Sequence, residues 1–422
     1  MSAWESTKRI VSVARQRGFR EFARLARQRL RDKAIARRHY RPAGTGATAC
    51  HDVMSFAAQK ADDHVGFRPH PRSESDVRLI AYYLPQYHPI PENDAWWGRG
   101  FTEWINVGRG TPQFIGHAQP RLPGELGYYD LRVPDVARRQ DELAENYGIH
   151  AFCYYYYWFS GKRLLDRPVE DLLADPARKR PFCLVWANEN WTRTWDGLDG
   201  QVLMSQRYSD EDHVAFAKDL LRLFGDPRYL RVDGRPVLLV YKPLIIPRLD
   251  AAAATWRKTW SEAGIEVYLV AVQTTADVEP ASIGFDAAAE FAPHTYKKEF
   301  ARRDVALVNP AFQGKIYDYG AMVQDSLSRP APASTLFRCA TPGWDNTARR
   351  GSRATIFLDS SARAFQGWLK GLVDDARRRL PADRRFVFIN AWNEWAEGAY
   401  LEPDQKHGYA NLEACRQALD SA

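Results

Sequence analysis

Cysteine is scarce in this chain: five among 422 residues, at 50, 153, 183, 339 and 415, with no C-x-x-C pair among them. That spacing excludes a disulfide framework and a thiolate metal site. Cys153, Cys183 and Cys339 fall inside apolar runs, as reduced, buried thiols of a cytoplasmic protein do. No apolar run reaches the roughly 18 residues of a membrane span, and the N-terminus lacks the apolar core of a secretory signal. No H-x-x-H, H-E-x-x-H, G-x-x-x-x-G-K-[ST] or G-x-G-x-x-G is found, so no metal, P-loop or dinucleotide site, and hence no cofactor, is expected.

Positive charge is present but confined. Residues 1–41 carry thirteen Lys/Arg against Glu5, Glu21 and Asp32, a net +10 out of +7 overall, which leaves −3 for the remainder. The basicity therefore belongs to an appendage. Ile10, Val13, Phe19, Phe22, Leu25, Leu30 and Ile35 recur at helical spacing among the arginines, which predicts a basic amphipathic helix. Such a helix can be merely solvated or can lie on an anionic membrane surface, and nucleic acid is not expected as its partner. The Gly-, Ala-, His- and Pro-rich stretch to residue 75 reads as a linker, so the chain divides into 1–75 and a folded body of 76–422. A cytosolic location, peripheral to the inner membrane at most, follows.

What the chain has in excess is aromatic residues, 14 Trp and 20 Tyr among them, more than a core alone requires. Eight short apolar runs recur: 78–84, 149–155, 182–187, 236–241, 266–272, 285–291, 335–340 and 386–391. Each is continuous rather than alternating, as in parallel strands covered on both faces. Amphipathic helices are expected at 134–147, 211–224, 252–263, 361–380 and 408–419, several ending at Gly or Pro. Eight β-α repeats predict a (β/α)8 TIM barrel with a basic N-terminal helical extension. The fifth and sixth repeats are the weakest, because the connection around 274–284 is short.

Active sites of such barrels form at the C-terminal ends of the strands, and here those ends hold the polar and aromatic residues. Strand one leads into Tyr83, Gln86 and His88, and a long following loop carries Trp96, Trp97, Glu103 and Trp104. Strand two ends in four tyrosines, of which alternate members should point inward, and Trp158 is the expected contact. Strand three delivers Asn188, Glu189, Asn190, Trp191, Trp195 and Asp196, strand six Glu290, and strand seven Trp344, Asp345 and Asn346. Indoles stack on sugar faces, and Asn and Glu bond paired hydroxyls. Strand eight ends in Trp392, Asn393, Glu394, Trp395 and Glu397. A helical turn there would put both glutamates on one face, and their mutual repulsion would separate their pKa values into an acid and a base. An E-x-x-E pair can equally cap a helix and bind an arginine; its place between two indoles at a strand terminus favours catalysis.

Residues 81–93, 96–104, 182–191, 342–347 and 388–403 resemble the WbsX family, which is similar to glycoside hydrolase family 99 and associated with bacterial polysaccharide and O-antigen biosynthesis. The resemblance runs from about Arg78 to Glu413. It implies a (β/α)8 barrel and an oligosaccharide or polysaccharide substrate. By the same resemblance Glu394 would act as base on the sugar 2-hydroxyl, giving a 1,2-anhydro intermediate and retention. Glu397 would be general acid and then base toward water or an acceptor. Family members commonly have a histidine where this chain has Tyr156. The family includes proteins named as hydrolases and as transferases. A retaining glycosyltransferase and a non-catalytic glycan-binding barrel are the alternative readings.

Overall fold

The structure is a computed structural model that describes residues 40–42, 59–193, 198–274, 279–296, 298–301, 305–330 and 332–420. Eight strands, β1 (Arg78–Tyr83), β2 (Ile149–Phe159), β3 (Phe182–Trp186), β4 (Arg235–Val240), β5 (Tyr268–Gln273), β6 (Ala287–Glu290), β7 (Leu336–Ala340) and β8 (Phe386–Ile389), pair in parallel in chain order. The ring closes where Phe386 of β8 meets Arg78 of β1 and Phe388 meets Ile80. These are the eight strands expected from the apolar runs. β2 runs four residues further than predicted because Tyr157–Phe159 turn back in a hairpin on Lys162–Leu164.

Among the described residues, seven α-helices of eight residues or more follow the strands: α1 (Pro134–Asn146), α2 (Arg167–Ala174), α3 (Asp210–Phe224), α4 (Leu249–Glu262), α5 (Tyr319–Ser328), α6 (Ala362–Arg379) and α7 (Ala410–Asp420). Between β5 and β6 the helix shrinks to one 3-10 turn, Pro280–Ile283, which explains the weak fifth repeat. Ser209 and Ser361 cap α3 and α6 by accepting from Asp212 and Ala364 N–H groups. Two helices lacked a signal in the sequence. α2 has only eight residues, and α5 carries Gly and Ser within its turns, with Asp318 as its cap.

Strands alternate between the barrel interior and the helical layer. On β2, Tyr154 meets Arg178, Tyr156 donates to Asp219 of α3, and Trp158 donates to Asp212 of α3 (2.9 Å). Tyr155 instead stacks on Tyr82 inside the barrel. A second, smaller core of Phe114, Val305, Leu307, Phe312, Ile316, Ile356 and Leu358 sits where the loops after β1, β6 and β7 meet. Within it Lys315–Asp318 pairs with Thr355–Leu358. This satellite shapes the loop after β7.

The expected basic helix lies outside the described residues, except that Tyr40–Pro42 forms a short strand on Val305–Leu307. The described part of the expected linker runs along the body: Ala61 N–H donates to Lys406 O, and His70 bonds Glu413 of α7 (2.9 Å). Cys153, Cys183, Cys339 and Cys415 are free and buried. Among the described residues no helix is long and apolar enough to cross a membrane.

Candidate active site

Past Ile389 the chain remains tied to its neighbours. Asn390 N–H donates to Ala340 O of β7 (2.9 Å) and Trp392 N–H to Tyr82 O of β1 (2.8 Å). The Asn393 carboxamide bonds both backbone groups of Leu84, accepting from N (2.7 Å) and donating to O (3.0 Å). Trp395 stacks on Tyr400 at 3.8 Å and donates from Nε1 to the buried Glu402 (2.6 Å). Trp392, Asn393 and Trp395 are thus buried and hold the backbone, rather than facing a ligand. What they hold is a 3-10 turn, Trp395–Glu397, whose near-eclipsed i and i+3 positions bring Glu394 and Glu397 to one side.

Both carboxylates meet a residue that sequence reasoning missed. Arg349 donates from Nη2 to Glu394 Oε2 (2.9 Å) and from Nη1 to Glu397 Oε1 (2.6 Å). Its Nε donates to Glu103 Oε1 (2.7 Å). Three acids therefore surround one guanidinium. Glu103 is fully buried and Glu394 nearly so, whereas the Glu397 side chain is 20% exposed.

Burial raises the pKa of Glu394 to about 8; Arg349 opposes the shift, and Glu397 and Glu103 add to it. Burial also raises that of Glu103, against the pull of Arg349. For Arg349 itself burial works against the charge, but the three acids outweigh it and hold its pKa well above the usual range. Glu394 Oε1 and Glu397 Oε2 have no protein hydrogen-bond partner among the described residues. An arrangement of two carboxylates with one tethered and one free oxygen each can move protons to and from a bound hydroxyl.

The loop after β7 delivers Arg349 through a dense set of bonds. Asp345, expected to touch substrate, is instead consumed internally. It accepts from Gln119 (2.6 Å), Thr347 Oγ1 (2.5 Å) and Thr347 N (3.0 Å), and pairs with His117 (2.8 Å). These partners hold its carboxyl far below the ordinary range despite burial. Its N–H donates to Glu397 O (2.6 Å), so the two loops lock together. Gly398 makes that contact possible. It adopts φ +61, and a Cβ there would lie 3.1 Å from both N and Cβ of Asp345. Asn346 accepts from Thr355 N (2.7 Å), which ties the loop to the satellite core.

Other expected contacts divide between mouth and scaffold. Tyr155, Tyr157 and Tyr241 are near enough to feel the charge of Glu394 and Glu397, and Tyr241 that of Glu189 as well. Burial, with Glu394 adding to it, keeps all three phenols protonated. Trp96 and Trp191 pack edge to face at 5.6 Å and remain half-buried, as do Trp97 and Trp104. Glu189 pairs with Lys242. Gln86 fixes the Glu103 helix through its carbonyl (2.9 Å), and burial pushes the His88 imidazole pKa down. Trp344 is buried against His294.

Several residues lie away from the carboxylates. Tyr83 donates outward to Gln140 of α1, Trp158 to α3, and Glu290 pairs with Arg338, which also bonds Ser326 of α5. Asn188 clamps both backbone groups of Lys242, and Asn190 accepts from Gln206 N. Trp195 and Asp196 lie outside the described residues. A groove of about 350 Å³ between α1 and α2, lined by Tyr83, Tyr154 and Arg178, opens on the outer wall and is separate from this mouth. Among the described residues no group of three or more His, Cys, Asp or Glu could hold a metal ion.

No spacing rule singles out Arg349, one of two adjacent arginines just past the Trp344–Thr347 segment. The tyrosines of the barrel mouth were legible as alternating positions, but the expectation that Trp158 outranks them fails on parity: residue 158 shares the outward face of 154 and 156.

The barrel superposes on solved structures of low sequence identity. One is the GH99 endo-alpha-mannosidase from Bacteriodes thetaiotaomicron in complex with BIS-TRIS-Propane (TM-score 0.51, 15% identity, 82% of this chain and 98% of that one). Another is a glycoside hydrolase-like protein (TM-score 0.52, 16%, 85% and 98%). The chain is 49% identical over 380 residues to the uncharacterized protein WxcX of Xanthomonas campestris pv. campestris strain B100, and equally to that of strain ATCC 33913. The match covers 89% of this chain but 55% of each relative, so the chain spans about half their length. The family described as Glycosyltransferase WbsX matches residues 79–415, most of the barrel, and the chain belongs to that family.

Proposed function

We propose that this chain is a carbohydrate-active enzyme that cleaves or transfers a glycosidic bond of a bacterial surface polysaccharide with retention, using Glu394 and Glu397 as its acid/base pair. The observation that carries the reading is the pair itself. Two carboxylates at the C-terminal mouth of the barrel each bind one nitrogen of Arg349 and each keep an oxygen without a hydrogen-bond partner among the described residues. Glu394 removes the proton of the sugar 2-hydroxyl while O2 attacks C1, and Glu397 gives its proton to the departing glycosidic oxygen. Water or an acceptor hydroxyl then attacks C1 and loses its proton to Glu397. The C1–O2 bond opens and Glu394 returns its proton to O2. Burial makes Glu394 a stronger base than a solvated carboxylate, with a pKa raised to about 8, so its base form fills as pH rises toward that value. The half-buried indoles Trp96, Trp97, Trp104 and Trp191 supply flat apolar faces of the kind that stack on sugar rings.

Transfer to an acceptor sugar is favoured over hydrolysis by the family description alone. A panel of α-mannosyl and rhamnosyl glycans, with and without nucleotide sugars, tests both. Turnover should appear with one glycan class and vanish in Glu397→Gln while binding persists. An unchanged rate in that variant sinks the acid/base assignment, and binding without turnover in both proteins would make the barrel a glycan-binding module.

A further inference from the structure

Glu103 stands apart from the other two carboxylates of the cluster. Both of its oxygens are taken, Oε1 by Arg349 Nε (2.7 Å) and Oε2 by Asn106 Nδ2 (3.2 Å), and its side chain has no exposure at all. It has nothing left to offer a substrate. Its place is nonetheless fixed with care: its N–H donates to Gln86 O in the loop just past β1, and it opens the short helix Glu103–Gly108. The guanidinium it holds is a rigid plane with donors on three nitrogens, so fixing Nε sets where Nη1 and Nη2 point.

We infer that Glu103 and Arg349 are positioning residues of the proposed reaction: Glu103 anchors the guanidinium through Nε, and its terminal nitrogens then hold one oxygen of Glu397 and one of Glu394, aiming the other oxygen of each at the substrate. The inference rests on the reading of Glu394 and Glu397 given above, and assigns a role to two residues from loops far apart in the chain. It makes the orientation of the pair depend on the loop after β1 as well as on the turn after β8.

The clamp is also electrostatic. The charged groups that act on Glu394 are Arg349, Glu397 and Glu103; the phenols of Tyr87, Tyr155, Tyr157 and Tyr241 also feel its charge, and Tyr241 that of Glu189, which pairs with Lys242. Burial keeps those phenols protonated, so they do not titrate with the carboxylates. Of the acids, Glu103 can be neutralised without touching the oxygens offered to substrate. Removing its charge leaves more of Arg349's field to Glu394 and takes away one repelling neighbour.

Glu103→Gln and Arg349→Lys, measured beside Glu397→Gln, test this with two readouts. One is the pH dependence of the unfolding temperature, and the other is the pH profile of kcat/KM on the glycan that the wild type turns over. Glu103→Gln keeps an oxygen for Nε, so it should move the Glu394 limb to lower pH by about one unit in both readouts. KM should stay within about twofold of wild type. Arg349→Lys, a point charge without the planar fork, should lower kcat about 100-fold with KM nearly unchanged.

A purely structural role would lower the unfolding temperature of Glu103→Gln equally at every pH and leave the limb in place. That result, or an Arg349→Lys variant keeping more than half of kcat, overturns the inference. Wild-type turnover by Glu397→Gln would instead remove the proposed reaction, while the unfolding limb would still report on the clamp.

Discussion

Replacing Glu394 by glutamine should abolish a pH dependence of stability that the buried cluster imposes. In the folded chain Glu394 has a pKa of about 8, against 4.5 for an unperturbed glutamate. Between those values the folded state keeps a proton that the unfolded chain has released, so stability falls as pH rises across that window. The sign is opposite to that of a salt-bridged carboxylate with a depressed pKa. Each pH unit in the window costs about 1.4 kcal/mol, or about 3 kcal/mol between pH 5 and pH 7. The carboxamide of the variant carries no such proton. The difference in unfolding free energy between wild type and Glu394→Gln should therefore shift toward the variant by about 3 kcal/mol over that interval, several degrees in unfolding temperature. Urea or thermal unfolding at half-unit steps from pH 5 to pH 8, with both proteins in the same buffers, measures it. Titration of the other groups largely cancels in the difference. Parallel curves would refute the reasoning, because they would mean that Glu394 ionises as a solvated carboxylate does.

Three further outcomes are expected. With Glu394 as base, kcat/KM should rise with pH toward about 8, and a fall through that region would give Glu394 the acid role instead. Gly398→Ala should destabilise by about 1–3 kcal/mol in denaturant unfolding, because φ +61 and the 3.1 Å approach to Asp345 both oppose a Cβ; a loss under about 0.5 kcal/mol would show that the loop gives way freely. Glu402→Ala leaves Trp395 Nε1, Tyr129 Oη–H and Gln140 Nε2 without their shared acceptor, and should cost about 3–5 kcal/mol by the same assay.

How far the sequence discloses this molecule depends on the range of the interactions involved. Strands and most helices are local: Phe182–Trp186 is apolar throughout because both faces are covered, and such a run is visible in one dimension. The E-x-x-E turn is local too, so its one-sided geometry follows from spacing. Contacts made across loops leave no such trace. Asp345 and Glu394 have equal standing as acids at strand ends, yet one is saturated by His117, Gln119 and Thr347 and the other keeps an oxygen free. The difference lies largely in His117 and Gln119, which sit on the loop after β1, at the far end of the chain from β7. Arg349 is the extreme case, since the carboxylates of Glu103, Glu394 and Glu397 come to it from the loop after β1 and the turn after β8, and no window of the chain holds more than one of those loops. The same separation has a physical consequence. A cluster assembled from the first and last barrel strands forms only once the ring has closed, because β8 must lie against β1 before Glu103 can reach a guanidinium that Glu394 and Glu397 also hold. The geometry of the carboxylate cluster is therefore tied to barrel closure itself, and any change that loosens the β8–β1 seam should be felt at the carboxylates before it is felt in the helical layer.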